Sequence, residues 1–175
     1  MVNTTESLSA SLEDYMEAIF HIEDKKHAAR AKDIADRLQV SSASVTGALR
    51  LLAEKELINY APYDIITLTA KGKEVAQDVV HRHKVLHDFF VKILAVDEAE
   101  AEGAACKMEH GLSPAILERM TQFVEFLETC PRGGYKWIKE FESFCEHGME
   151  LSRCEQCLRQ CIEELQKQVD LKLDT

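Results

Sequence analysis

The sequence predicts a mainly α-helical protein. Three helices and a hairpin come first, then an all-helical second half with a helical Cys-rich tail. Three observations predict this. Apolar residues recur at three- and four-residue spacing through most of the chain. Ser, Thr and Asp stand just ahead of several of those periodic runs, where they cap helices. Residues 57–68 alone offer paired β-prone runs around a turn containing Pro and Asp.

Leu12, Tyr15, Met16, Ile19 and Phe20 place an amphipathic helix over about Ser11 to Glu23. Asp24 to Ala29 reads as a polar connection. Ile34, Ala35 and Leu38 mark a short second helix from Ala31 to Leu38. Ser41 or Ser42 caps a third, with Val45, Ala48, Leu49 and Leu52 inward. Helix, short turn, helix is a helix-turn-helix. The β-prone runs Leu57–Tyr60 and Ile65–Leu68 flank Ala61-Pro62-Tyr63-Asp64, and a hairpin in that place is a wing. Thr69 then caps a long helix from about Ala70 to Leu94, with Val75, Val79, Val80, Leu86, Phe89, Phe90 and Ile93 inward. Asp97, with Glu100 three residues on, opens a helix to about Glu109. Ser113-Pro114 starts another, running to about Glu128, because Pro suits the first helical position. The run from Cys130 to Gly134 breaks it. A short helix over Trp137 to Cys145 and a long one over about Glu150 to Leu171 complete the chain.

Composition narrows the function. The chain has 175 residues, 46% hydrophobic and 30% charged, which excludes a disordered or low-complexity protein. Met1 to Ser9 lack the apolar stretch of a signal peptide, and no apolar run approaches the roughly 18 residues that span a bilayer. The expected location is the cytoplasm, with no membrane partner. Six cysteines in a reducing compartment point to metal or redox chemistry, or to buried core thiols, before disulfides. The net charge is −10, unevenly distributed. Residues 1–75 hold nine Lys and Arg against twelve Asp and Glu; residues 76–175 hold twelve against nineteen. The acidity sits mostly away from the helix-turn-helix, so it does not exclude DNA. No nucleophile–base pair stands out, so an enzyme is not expected.

Metal-ligand residue types share helix faces. His83 and His87 are four apart on the long helix. Glu102, Cys106, Glu109 and His110 lie on one broad face of the next, and Asp14 and Glu17 are three apart on the first. Imidazole, carboxylate and thiolate from neighbouring helices form a transition-metal site. Taken singly, each also fits an ordinary role: surface histidines, solvated glutamates, a core thiol at Cys106.

Several segments resemble the diphtheria toxin repressor family of metalloregulators, in the family's order and spacing from about Ser11 to Cys130. They are the run Leu12 to Phe20, Asp33 to Leu38, Val40 to Thr46, Leu68 to Gly72, Arg82 to Leu86 and Cys106 to Ser113. The resemblance implies a winged helix-turn-helix DNA-binding domain over 1–72 and a helical metal-binding and dimerisation domain over 73–130. A Cys-rich helical C-terminal extension, 131–175, follows. It implies a homodimeric repressor of metal-uptake genes, bound to a palindromic operator in double-stranded DNA and activated by Fe(II) or Mn(II). The implied primary site is Asp14, Cys106, Glu109 and His110. Glu17 matches a ligand of the manganese branch and His83 a family ligand. His87 stands where the family usually has Glu, and Glu102 where the iron branch has His, so His83, His87 and Glu102 form an ancillary site. Cys106 matches the iron branch and Asp14 the manganese branch. A thiolate favours Fe(II) over Mn(II).

The reading helix should present Ser41, Ser42, Ser44, Thr46 and Arg50 to phosphates and base edges, with Arg30, Lys32 and Arg37 beside it. Helix capping is the other reading of these Ser and Thr residues, and it suits one of Ser41 and Ser42. The tail set Cys145-x8-Cys154-x2-Cys157-x3-Cys161 suits Zn(II) or an iron–sulfur cluster, with Cys130 or His147 as substitute ligands. Alternatively, Cys154 and Cys161 fill a seam with Leu151, Leu158 and Leu165. Two further functions fit the pattern: a redox-sensing DNA-binding regulator, and a helical metal-binding adaptor that does not bind DNA.

Overall fold

The structure is a computed structural model that describes residues 8–60, 65–129 and 134–148, with isolated positions between 155 and 167. The described residues form seven helices and one small sheet in the order α1 (Ala10–Lys26), α2 (Ala31–Leu38), α3 (Ser42–Glu54), β1 (Ile58–Asn59), β2 (Thr67–Leu68), α4 (Ala70–Lys92), α5 (Glu98–Met108), α6 (Pro114–Thr129) and α7 (Gly134–His147). The mainly α expectation holds, and every helix expected before residue 148 is present. The hairpin turn 61–64 and most of the expected last helix lie outside the described residues.

The caps explain the helix starts. Ser9 caps α1, its Oγ accepting from Leu12 N at 3.4 Å. Ser41 Oγ accepts from Ser44 N at 3.1 Å and caps α3. Thr69 Oγ1 accepts from Gly72 N at 3.0 Å and donates to Glu56 O at 2.8 Å, joining the start of α4 to the end of α3. Asp97 Oδ1 accepts from Ala99 N and Glu100 N, and Ser113 Oγ from Ile116 N. α1 and α2 end on His27 and Gln39, both in the left-handed region. α7 starts three residues before the expected Trp137. Tyr135 and Lys136 are compatible with a first turn, whose N–H groups need no intrahelical acceptor.

The chain divides into two compact units. One comprises residues 1–84 with 106–111; the other comprises 85–105 with 112–175. The first is built around Met16, Ile19, Ile34, Val45, Leu49, Leu52 and Ile66, all with no measurable exposure. These are the inward positions of α1, α2 and α3 that periodicity selects, closed by the hairpin. β1 and β2 pair antiparallel, Ile58 with Leu68 and Asn59 with Thr67. The expected polar connection does more than connect: Ala29 is buried and exchanges two backbone hydrogen bonds with Ile66, at 2.9 and 2.8 Å. The second unit packs Leu86, Phe90, Ala101 and Ala105 with Phe89, Val96, Leu112 and Met120.

Two glycines show opposite constraints. A Cβ at Gly72 would lie 1.8 Å from Leu57 O, so α4 approaches the wing that closely only because this residue has no side chain. A Cβ at Gly47, exposed on α3, would meet nothing within 4 Å. Gly47→Ala should therefore stabilise the protein by about 1 kcal/mol through helix propensity, raising Tm by roughly 2–4 °C. Gly72→Ala should destabilise it by about 3 kcal/mol or more through overpacking. Thermal and urea denaturation of the two variants checks both signs.

Candidate metal centre

The candidate ligands meet inside the first unit. α1 supplies Asp14 and Glu17, α4 supplies His83, and α5 with the turn after it supplies Cys106, Glu109 and His110. Gly111 N donates to Met108 O at 3.1 Å, and this turn presents Glu109 and His110 just beyond the helix end. Asp14, Cys106 and Glu109 place one ligand atom each within 4.8 Å of one another, and so do Glu17, His83 and Glu109. Glu109 belongs to both groups. His110 stands against the first, its Nε2 2.9 Å from Asp14 Oδ1 and 3.5 Å from Glu109 Oε1.

Glu109 is 0% exposed. Its Oε2 lies 2.8 Å from His83 Nδ1, and its backbone carbonyl accepts from an Arg82 guanidinium N–H at 2.9 Å. Its Oε1 is buried with no hydrogen-bond partner, the 3.5 Å approach of His110 being too poorly aligned to count as one. A buried acceptor left unpaired costs about 1–3 kcal/mol, and more when charged. An oxygen so placed, beside a second carboxylate and a thiol, fits a divalent cation. Cys106 is exposed, which removes the core-thiol reading for it.

Two residues here escaped the sequence reading, Glu13 and Arg82. Glu13 Oε2 lies 2.7 Å from His110 Nδ1, and its Oε1 pairs with the Arg82 guanidinium at 3.0 Å. Glu13 and Asp14 thus hold the two nitrogens of one imidazole. Arg82 Nε is 3.2 Å from Asp78 Oδ2, a charge contact without hydrogen-bond alignment. The available signal was adjacency alone: Glu13 precedes Asp14, and Arg82 precedes His83.

The electrostatics follow from burial and crowding. Burial raises the Asp14 carboxyl above the usual carboxylate range, helped by the Glu17 and Glu13 charges and opposed by His110. Burial depresses the His110 imidazole, but the Glu13 hydrogen bond and the Asp14, Glu109 and Glu13 charges outweigh it, and the net shift is upward.

Of the proposed ancillary set, His83 belongs to the first unit and His87 and Glu102 to the second. His87 Nδ1 is 4.0 Å from Asp88 Oδ1, and Glu102 is exposed on α5. Of the DNA-reading candidates, Ser41 serves as the cap and also contacts Ser44 Oγ at 2.9 Å. Thr46 Oγ1 donates back to Ser42 O at 2.9 Å. Arg30, Lys32, Arg37, Ser42, Ser44 and Arg50 are exposed. In the tail set, Cys145 is exposed near the end of α7; Cys154, Cys157 and Cys161 lie outside the described residues, as does Cys130. His147 Nδ1 is 3.3 Å from Ser143 O. Among the described residues, no helix is long and apolar enough to cross a membrane.

Comparison with known proteins identifies the family. Residues 7–65 match the N-terminal DNA-binding domain of iron-dependent repressors. Residues 69–138 match the metal-binding and dimerisation domain of the same repressors. An uncharacterised HTH-type transcriptional regulator of Methanocaldococcus jannaschii is 39% identical over 119 residues, 67% of this chain and 95% of that protein. A manganese-dependent transcriptional repressor solved with manganese is 28% identical with a TM-score of 0.61, over 66% of this chain and 53% of its own. The manganese regulator SloR is 25% identical with a TM-score of 0.60, over 70% and 57%. The chain therefore spans little more than half the length of these solved structures. IdeR of T. acidophilum, at 21% identity and TM-score 0.60 over 69% of this chain and 55% of its own, shares the fold. None of these comparisons supports an iron–sulfur cluster.

The upward shift of His110 has a consequence in metal-free protein. A histidine whose folded pKa exceeds its unfolded value, about 6.5, stabilises the fold fully below that value. The stabilisation is lost as pH rises through the folded pKa. Urea denaturation from about pH 5.5 to about pH 9 should show this loss, and His110→Gln should flatten the alkaline part of the profile.

Proposed function

Because the chain belongs to the iron-dependent repressor family, a family of transcriptional repressors and not of enzymes, we propose that it is a cytoplasmic, homodimeric repressor of metal-uptake genes whose operator binding requires a divalent metal, Fe(II) in preference to Mn(II). The observation that carries the metal reading is Glu109: buried, shared by both ligand groups, with one oxygen unpaired. Asp14, Cys106, Glu109 and His110 would hold one ion, with Glu17 and His83 on the other side of Glu109. The solved relatives named for manganese leave Fe(II) a matter of ligand chemistry. Cys106 beside Asp14 and Glu109 offers a thiolate, which ranks Fe(II) above Mn(II).

A bound cation would supply positive charge between carboxylates that otherwise repel. The chain's own part is connectivity. Asp14 and Glu17 sit on α1, which packs against both α2 and α3 of the helix-turn-helix. Cys106 lies in the last turn of α5 and Glu109 and His110 just after it, while the earlier residues of α5 belong to the second unit. Residues that hold α1 to the turn after α5 therefore restrict the reading helix within the first unit. A dimer must present two such helices about 34 Å apart, so restricting this geometry raises operator affinity without a ligand touching DNA. Ile116, Phe123 and Phe126 on α6 and Phe141 and Phe144 on α7 are exposed apolar residues, which suits burial against a second copy. On α3, Ser42, Ser44 and Arg50 are the residues left exposed for phosphates and base edges, and Gly47 offers no side chain there.

The tail set Cys145, Cys154, Cys157 and Cys161 is proposed as a separate Zn(II) site. The matched metal-binding domain ends at residue 138, so the set lies beyond that match. Its x2 spacing between Cys154 and Cys157 suits a tetrahedral thiolate site.

Anaerobic gel shifts on a palindromic operator, titrated separately with Fe(II), Mn(II) and Zn(II), test the function. Fe(II) should act at the lowest concentration, and Asp14→Ala and His110→Ala should abolish the metal dependence. Unchanged metal dependence in those variants would overturn the proposal. For the tail, Cys157→Ser should lower the zinc content of purified protein, and an unchanged content would exclude the site.

A further inference from the structure

The metal-centre reading leaves Glu13 and Arg82 without a role, although both are nearly buried within it, at 13% side-chain exposure each. Neither is a free ligand. Both Glu13 oxygens are committed, Oε1 to Arg82 at 3.0 Å and Oε2 to His110 Nδ1 at 2.7 Å. Besides its charge contact with Asp78, Arg82 spans the Glu13 carboxylate and the Glu109 carbonyl, the latter at 2.9 Å. It therefore ties α1 to the turn that carries both Glu109 and His110. An imidazole can give a metal only one nitrogen, and the hydrogen bond on the other decides which. His110 Nε2 faces Asp14 and Glu109; His110 Nδ1 faces away, onto Glu13.

We propose that Glu13 is the positioning residue of the centre, accepting from His110 Nδ1–H so that Nε2 is the nitrogen offered to the metal, and that Arg82 holds Glu13 in that role. The proposal rests on the metal-centre reading and adds residues that touch no metal. A carboxylate on the far nitrogen orients the ring and makes the near nitrogen a better donor, an arrangement whose loss commonly costs 10–100-fold in metal affinity. Arg82 prevents a competing outcome: it occupies Glu13 Oε1, leaving one oxygen for His110 and none for a cation.

Zn(II), diamagnetic and redox-inert, is the probe, and every variant is compared in a Cys157→Ser background so that the proposed tail site does not compete for it. Nitrogen-15 NMR of the Zn(II)-loaded full chain reports which His110 nitrogen carries the proton, and competition with a chromophoric chelator gives the affinity. Wild type should show a protonated Nδ1 and a metal-bound Nε2. Glu13→Ala should scramble that assignment and weaken Zn(II) by roughly 10–100-fold. Glu13→Gln keeps an oxygen acceptor and should recover most of the loss. Arg82→Gln should show a smaller weakening in the same direction. Wild-type affinity in Glu13→Ala would overturn the proposal, as would weakened affinity with the Nδ1–H tautomer intact, which would mark Glu13 as merely structural. Asp14→Ala and His110→Ala, titrated alongside, separate the two levels. If they weaken Zn(II) and Glu13→Ala does not, only the positioning role fails. If none of them weakens it, the metal-centre reading fails with it.

Discussion

The arrangement of the first unit depends on one buried carboxylate. Glu109 has no exposed surface, yet it is an ionisable group at a place where three segments meet. Burial of such a group is tolerable only when its oxygens are matched. His83 matches one oxygen and Arg82 takes the carbonyl of the same residue, so two successive residues of α4 grip it. The other oxygen is the unmatched one. That unmatched oxygen is the observation on which the proposed metal reading rests. Removing the carboxylate would relieve the strain and remove the site together.

Around that point the charges are arranged in two layers. Asp14, Glu17, Cys106 and Glu109 supply the inner donors, and burial with mutual repulsion holds the Asp14 carboxyl above its usual range. Glu13 and Arg82 form an outer layer in which each charge already has its partner. His110 belongs to both, one nitrogen to each. That division lets one helix, α1, contribute neighbouring residues with different duties. Glu13 meets one His110 nitrogen and Asp14 the other, because successive helical side chains straddle the ring.

The helix-turn-helix shows the same economy in its hydroxyls. Ser41, Ser44 and Thr46, read from sequence as DNA contacts or as helix-capping groups, each make a local hydrogen bond at the start of α3. Ser42, Ser44 and Arg50 keep their exposure. Close contact of α4 with the wing, through Gly72 on Leu57 O and Thr69 on Glu56 O, fastens the hairpin to the helix that carries His83. Reading unit and metal-ligand helix are therefore continuous through packing as well as through the chain.

Much was legible in the amino-acid sequence. Helix periodicity, cap residues and the Pro-Tyr-Asp turn determined the number, order and approximate bounds of the elements from Ala10 to His147. Residue type at face spacing determined which side chains carry ligand chemistry, and the ordered motifs determined the family. Periodicity says which face a residue occupies. It cannot say what residue 97 positions away that face meets, and Glu13 with His110 is such a pair. Only the tertiary structure decided that Glu109 is buried while Cys106 is exposed, that Glu109 is shared between two ligand groups, and that Glu13 and Arg82 belong to the centre at all. Those outcomes depend on how α1, α4 and the turn after α5 pack, and packing is a property of side-chain volume and desolvation summed over the whole unit, not of any local run of sequence.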